Sequence, residues 1–307
     1  MNIPFTLRQL QYFQAAATTG SLAAAAEQMH VTPTALALAL QEFEKRLGLT
    51  LMLRRKGRGI ILTGEGQRIL EKSQALLADA VHLLDEASDS RQDVSGGLRV
   101  GLFSTLAPFF SAPLLKEFAT QYPEIDLRVV EDGTQGLYDQ LSTAQLDVAI
   151  QYGFQVSEQL FFTPLYEVQP HLLVPADHRF AGRAEVSLKQ VAHDPVIGLN
   201  IQPTLQNTRQ IYEQVGIEPC IVHNTGSFEV ARCLVGNGLG VTVLFQRAAT
   251  PATYDGAEVV ALRLTDDIAP STLGVAQALS ATETERVRVL IDFLDELLHT
   301  SEVFQPL

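Results

Sequence analysis

The chain has 307 residues, 46% of them hydrophobic and 19% charged, which is the make-up of two or three compact domains and excludes a disordered polar chain. No run reaches the roughly 18 apolar residues of a membrane helix. Met1–Leu10 carries no apolar segment with a small-residue cleavage site, so neither a membrane partner nor a secretory leader is expected, and a cytoplasmic location is the default. The net charge of −13 is uneven: residues 1–70 hold eight basic and four acidic side chains, +4, and the remainder carries −17. One basic end on an acidic body predicts a single face that meets a polyanion, since phosphate neutralisation supplies most non-specific affinity for nucleic acid.

Leu10, Phe13, Ala16 and Ala17 recur at helical spacing, and Gly20 stops that helix. Ser21 is an N-cap for an Ala-rich helix, Leu22–Met29, and His30 and Val31 make the turn after it. Thr32 caps a third helix that begins with Pro33, where the missing N–H costs nothing, and ends at Leu47 before Gly48. Leu36, Leu40, Phe43 and Leu47 give this helix a buried face and leave Pro33, Thr34, Ala37, Leu38 and Gln41 outward. Ala23–Ala26 let two helices cross closely. The pattern predicts a helix-turn-helix at about Ser21–Leu47, with the outward face of the third helix in the major groove. Thr32 and Thr34 would bond phosphate or base edges, Gln41 would bond adenine, and Ala37 and Leu38 would touch only thymine methyls or sugars. Ser21 joins them as a DNA-binding candidate. A generic three-helix bundle is the alternative, but the segment that follows argues against it.

Leu51–Leu53 and Gly59–Leu62 read as two short strands around a basic turn containing Arg54, Arg55, Lys56 and Arg58: a wing that grips phosphates. From Thr63 to about Ser88 a long helix places Ile69, Ser73, Leu76, Ala80, Leu83 and Ala87 at alternating four-three spacing. Ile69, Leu76, Ala80 and Leu83 are the candidate seam of a homodimer; packing on the helix's own domain is the alternative. Ser88–Gly97 is polar and ends in Ser95, Gly96 and Gly97, a hinge.

Beyond the hinge the pattern becomes α/β. Strands are expected at Leu98–Phe103, Ile125–Glu131 and Leu146–Gln151, helices at Pro108–Gln121 and Gln135–Leu141. Alternation resumes from Leu172 through Val243, with helices near Thr204–Val215 and Ser227–Val235, then a strand at Leu273–Ala278 and an amphipathic helix at Glu283–His299. Cys220 and Cys233 have no CxxC spacing and read as small hydrophobes rather than a redox pair. The seven histidines follow no ligand spacing, and no Gly-rich phosphate loop, GxSxG or acid pair is present. No metal, no cofactor and no enzymatic activity are therefore expected.

Taken in order, Leu7-Arg8-Gln9-Leu10 with Phe13, Gly20-Ser21-Leu22, Ala25-Ala26, Val31-Thr32-Pro33 with Ala35-Leu36, Glu44 with Leu47-Gly48, and Leu62-Thr63 with Gly66 resemble the LysR-type transcriptional regulators. Leu98-Arg99-Val100-Gly101, Phe118, Tyr122-Pro123, Leu141 and Leu146-Asp147-Val148-Ala149 continue the resemblance, as does Gly236 with Gly238-Leu239-Gly240-Val241; coverage runs from about residue 6 to 298.

The resemblance implies a winged helix-turn-helix over 1–65, a linker and dimerisation helix with its hinge over 66–95, and a periplasmic-binding-protein-like effector domain over 96–307. That domain would have two Rossmann-like lobes, lobe I at about 96–166 and 268–307 and lobe II at about 167–267, with the ligand cleft between them. It implies promoter DNA and a small-molecule effector, often an anion, as partners, a homodimer or homotetramer, and RNA polymerase as a further candidate partner. Residue by residue, the cleft candidates are Ser104, Thr105 and Thr134, whose hydroxyls would join helix N-terminal N–H groups to hold a carboxylate or phosphate; an ordinary helix cap is the alternative for each. Leu199, Asn200 and Phe228 are candidates on lobe II, and Phe103, Leu106, Tyr152 and Phe154 would make the cleft apolar. The chain departs from the family at Ala37 and Leu38, where members often carry Ser and a polar residue, and at Phe245, where Pro is common. The reactive Cys of the peroxide-sensing branch falls within Leu199–Gln206, which holds none here. The reading is a ligand-responsive regulator; a ligand-binding regulator with weak or non-specific DNA recognition is the alternative.

Overall fold

The computed structural model describes residues 3–55, 59–89, 94–154, 156–199, 204–279, 281, 283–301 and 303–304, with backbone alone at 54–55, 75, 78–79, 81–82, 84–89 and 204–207. The chain forms two compact units, one built on Met1–Gln92, the other on Asp93–Leu141 with Leu146–Leu307.

In the first unit α1 (Leu7–Thr19) starts from a capping box between Thr6 and Gln9 and stops at Gly20, whose φ of 63° a side chain would resist. Ser21 caps α2 (Leu22–Gln28) by accepting from Ala24 N, and Thr32 caps α3 (Pro33–Leu47) by accepting from Ala35 N. The tight turn before α3 holds His30 at a φ of 53°, a left-handed value uncommon outside glycine. Leu36, Leu40 and Phe43 are buried against Leu10, Phe13 and the alanines of α2, with Phe43 edge-on to Phe5 at 5.8 Å.

The wing strands β1 (Met52–Arg55) and β2 (Gly59–Leu62) pair antiparallel, Arg54 opposite Ile60 and Arg55 opposite Gly59. The first strand is thus longer than its apolar run: Arg54 and Arg55 belong to the strand and not to the turn, because ladder hydrogen bonds are indifferent to side-chain charge. Glu44 of α3 holds the wing's root by accepting from Leu51 N at 2.7 Å and Met52 N at 3.0 Å. Ile60 N donates to Gly20 O at 2.8 Å, which docks the wing on the α1–α2 turn. A Cβ on Gly59 would lie 2.3 Å from that same oxygen, so the contact requires glycine.

Helix α4 (Gly64–Asp89) follows, its first turn capped by the Thr63 hydroxyl accepting from Gly66 N. Ile69, Leu70 and Leu77 pack on the first unit's own core, and Ser73 is buried with its hydroxyl donating to Ile69 O. Leu76 and Leu83 are exposed.

The second unit packs around three apolar clusters, one in lobe I and one on each face of the lobe II sheet. Lobe I is a five-stranded sheet in the order β4-β3-β5-β13-β6, from β3 (Gly96–Phe103), β4 (Ile125–Asp132), β5 (Val148–Tyr152), β6 (Leu160–Val168) and β13 (Ser271–Ala278). β3 runs parallel to β4 and β5, and β13 antiparallel to β5 and β6. Gly96 and Gly97, read from sequence as hinge, already pair with Ile125 and Asp126. The Arg99–Asp147 pair fastens β3 beside β5: Asp147 accepts from Arg99 N at 2.7 Å and from its guanidinium at 2.7 Å. Helix α5 (Ala107–Ala112) passes into a π-helical stretch, Pro113–Phe118, begun by a residue with no N–H to give, and ends as α6 (Ala119–Gln121). Helices α7 (Thr134–Ser142) and α10 (Glu285–Thr300) complete the lobe, and the buried Arg286 of α10 donates to Ser95 O.

Lobe II contains β7 (His171–Pro175), β8 (Glu185–Val186), β9 (Val196–Leu199), β10 (Ile221–Thr225), β11 (Thr242–Leu244) and β12 (Val259–Leu264), with helices α8 (Thr204–Gln214) and α9 (Phe228–Gly236). The main sheet has the order β11-β7-β12-β8, and β9 pairs parallel to β10. Strand β7 is buried along its whole length because both faces are covered: Leu172 and Val174 pack on the side of Ile211 and Tyr212 in α8, Leu173 on the side of Ala231 and Val235 in α9. Phe245, just after β11, packs against the cores of both lobes.

Candidate nucleic-acid interface and effector site

On α3 the outward face forms as the periodicity requires. Thr32, Pro33, Thr34 and Gln41 are exposed, Leu38 is 61% exposed, and Ala37 is half-buried. Ser21 and Thr32 spend their oxygens as caps, so what each offers a phosphate is its hydroxyl hydrogen. Lys45 is exposed at the far end of α3, while Arg46 is engaged with Glu42 at 2.8 Å and Pro4 O at 2.9 Å. The backbone of Arg54 and Arg55 lies on the wing strand; Lys56 and Arg58 lie outside the described residues.

Of the seam candidates, the structure separates two kinds. Ile69 serves the core of the first unit, a correction that follows from its position in the first turns of α4, beside α1. Leu76 and Leu83 present apolar surface outward, and Ala80 is half-buried.

The effector candidates do not converge on one cavity. Thr105 is 2% exposed, and its hydroxyl accepts from Gln246 Nε2 of lobe II at 3.0 Å. It is a joint between lobes and offers no open surface. Burial pushes the Tyr152 phenol well above its ordinary pKa, with the neighbouring Thr105 hydroxyl pulling the other way. Around this joint the rings close in: Tyr152 stacks on Phe154 at 5.0 Å, and Phe245 lies 5.6 Å from Tyr152. Ser104 is half-buried on the loop leaving β3. Thr134 lines a cavity of about 160 Å³ in lobe I with Tyr138, Gln151 and Ser157.

A carboxylate of the chain itself lies against the start of α7, where an anion was expected. The Asp132 carboxylate accepts from Gly133 N at 2.7 Å and Gln140 Nε2 at 2.8 Å. A Cβ at Gly136 would sit 2.1 Å from it, so the glycine makes its seat. An external carboxylate or phosphate beside Thr134 would meet that charge. Leu199 is 3% exposed in the α9-side core of lobe II and has no surface for a ligand. Asn200 lies outside the described residues.

Phe228, at the start of α9, lines a larger cavity of about 490 Å³ on lobe II together with His171, Gln246 and Arg247. Sequence reasoning missed these last three. Their signal was a polar pair, Gln246-Arg247, directly after an apolar strand, and a histidine opening another. His171 is 5% exposed with Nε2 buried and unpartnered, and burial, aided by Arg247, lowers its pKa to about 4. Among the described residues no group of acidic, His and Cys side chains stands together to hold a metal, and no helix is long and apolar enough to cross a membrane.

Two family models match the chain. "Bacterial regulatory helix-turn-helix protein, lysR family" matches residues 7–67, and "LysR substrate binding domain" matches residues 91–298. The solved structure of HinK, a LysR family transcriptional regulator from Pseudomonas aeruginosa, is 30% identical, covering 96% of this chain and 99% of that one with a TM-score of 0.65. A hydrogen peroxide-inducible genes activator of Pectobacterium carotovorum subsp. carotovorum is 26% identical over 78% of this chain and 79% of its own length. Full-length OxyR from Pseudomonas aeruginosa shares the fold at 23% identity, with a TM-score of 0.73 over 98% of this chain and all of that one. These relatives are regulators of transcription and not enzymes. With a helix-turn-helix at one end and an effector-binding domain at the other, the chain belongs to the LysR family of transcriptional regulators.

Proposed function

We propose that the protein senses a small metabolite at the junction of its two lobes and alters promoter binding in response. One observation carries this reading: a buried polar joint, Gln246 to Thr105, ties the two lobes and is set among Tyr152, Phe154 and Phe245. A ligand group that satisfies Gln246 or Thr105 in its place favours a different lobe arrangement, and a ligand acts only through such differential affinity. Any anionic character of the effector is read by Arg247, next to Gln246, and not by α7, against whose start the Asp132 carboxylate lies.

On DNA, Thr34 and Gln41 read base edges, and the basic wing residues Arg54, Arg55, Lys56 and Arg58 hold phosphates. The exposed Leu38 supports the second reading, weaker sequence discrimination, because an aliphatic side chain in the groove makes no hydrogen bond. Leu76 and Leu83 meet their counterparts in a second copy, giving the homodimer on which a tetramer and contact with RNA polymerase would build.

Cys220 and Cys233 are free thiols, Cys220 exposed, so a peroxide response of the kind named for some relatives is open to a direct check. Footprinting with and without candidate metabolites tests the proposal. It expects ligand-dependent occupancy that Cys220→Ser leaves intact; occupancy that never depends on a metabolite, or depends only on Cys220, overturns it.

A further inference from the structure

Lobe I holds a cavity of its own, about 160 Å³, between the first turns of α7 and the loop that joins β5 to β6. It is smaller than the roughly 300–1,000 Å³ of most ligand sites, so its occupant is compact. Gln151 makes its floor. On β5, Ala149 lies on the α7 side: a Cβ on the paired Gly101 would meet Leu137 of α7 and Ala149 itself. Side chains alternate along a strand, so Gln151, two residues on, points the same way. Gln151 is 5% exposed, and among the described residues its amide has no hydrogen-bond partner. A buried amide without a partner is costly, and one that faces a cavity points to a ligand.

The other polar groups of the wall are committed. The Tyr138 hydroxyl donates to Gln159 Oε1, and Gln135 Nε2 donates to Asp139 at 2.8 Å. The Ser157 oxygen accepts from Gln159 N at 3.2 Å, and Thr134 has an interaction of its own. Val156 and Leu160 make the rest apolar.

We propose that this cavity binds a compact neutral ligand with a carboxamide head paired to Gln151 and an apolar body against Val156 and Leu160. An amide offers a donor beside an acceptor, and a second amide satisfies both through two parallel N–H···O bonds. A carboxylate would leave the Gln151 carbonyl facing an acceptor. Its charge would also meet the Asp132 carboxylate, which lies against Gly136 in the first turn of α7. An amidinium would leave the Gln151 NH₂ facing donors, and burying an unpaired charge costs more than burying the neutral head.

A narrow extension of the cavity shares Gln151 and Thr134 and is walled by Phe103, Tyr152 and Phe154. Tyr152 and Phe154 are the rings that meet Phe245 at the lobe junction. A ligand on Gln151 is thus felt beside the Gln246–Thr105 joint. This coupling rests on the lobe-junction reading above; the carboxamide site itself does not.

The test is calorimetric titration of the 307-residue chain with benzamide, with benzoate and benzamidine as competitors of the same shape. Benzamide is expected to bind one per chain, and each competitor to displace it at least tenfold less well than benzamide itself. Gln151→Leu should weaken benzamide tenfold or more, and Val156→Trp, which fills the cavity from the loop, should abolish its binding. Without ligand, Gln151→Leu should melt no lower than the wild type, because it removes an unpaired amide. No benzamide binding to the wild-type chain, binding untouched by either variant, or displacement by benzoate or benzamidine as efficient as by benzamide overturns the site. A lower melting temperature for Gln151→Leu also overturns it, since the amide would then have a partner within the chain. Binding that passes every arm but never changes DNA affinity establishes the site and sinks the lobe-junction reading instead.

Discussion

Gly59→Ala is a one-carbon change whose cost follows from the geometry. Gly59 has a φ of 71°, where an L side chain costs about 1–2 kcal/mol. Its new Cβ would lie 2.3 Å from Gly20 O, a backbone atom that cannot swing aside. The strand must back away, and the Ile60 N to Gly20 O bond, worth about 1 kcal/mol net, goes with it. The sum is about 2–3 kcal/mol, or roughly 10 °C in the melting of a domain this size. Gly64→Ala is the matched control: it opens α4, no atom lies within 4 Å of its Cβ, and alanine there is neutral or slightly stabilising. Urea unfolding followed by circular dichroism reads stability, and gel shifts over a salt series read the wing. Because Arg55 pairs with Gly59, displacement of β2 should also weaken DNA binding on every sequence. If Gly59→Ala unfolds at the same urea concentration as Gly64→Ala, the wing is not clamped to the α1–α2 turn and the reasoning fails.

Three further outcomes are expected. His171 has its pKa lowered to about 4 by burial and by Arg247, so on acidification the unfolded chain takes up this proton first; stability is whole above pH 6.5 and falls by about 3 kcal/mol toward pH 4. Unfolding at a series of pH values should show that slope, and His171→Gln should remove it; an unchanged slope would show that another group is responsible. Thr105→Val and Gln246→Leu should each cost about 1–3 kcal/mol by orphaning a buried partner, and the double variant should cost less than their sum by about 1 kcal/mol; strict additivity would deny the joint. Arg54→Ala should weaken binding to all DNA and lower the salt slope by about 0.9, whereas Thr34→Ala should alter the preference among sequences; equal losses on specific and random DNA for Thr34→Ala would contradict its groove assignment.

The helical end of the molecule was legible because its signals are local. Ser21, Gly20, Thr32, Pro33 and Gly48 sit at their caps and stops, and the four-three-four row of α3 has no rival reading. What escaped depends on partners distant in sequence. Arg54 and Arg55 read as turn because their charge says so, but the ladder to Gly59 and Ile60 keeps them in the strand. Strand β6 is an edge strand with broken alternation, and only β13, over a hundred residues later, defines it. Thr134 was chosen for a hydroxyl at a helix start, a sound local argument defeated by Asp132 two residues earlier. Thr105 was read as a ligand-facing hydroxyl, and no pattern within β3 could show that Gln246 would close over it.

The most direct measurement is quantitative footprinting of the 307-residue chain on the DNA upstream of its own reading frame, in competition with random DNA and over a range of salt. The account predicts a discrete protected site, bound more tightly than random sequence, with affinity that falls steeply with salt. Equal affinity for random DNA, or no protection at any salt, would contradict it.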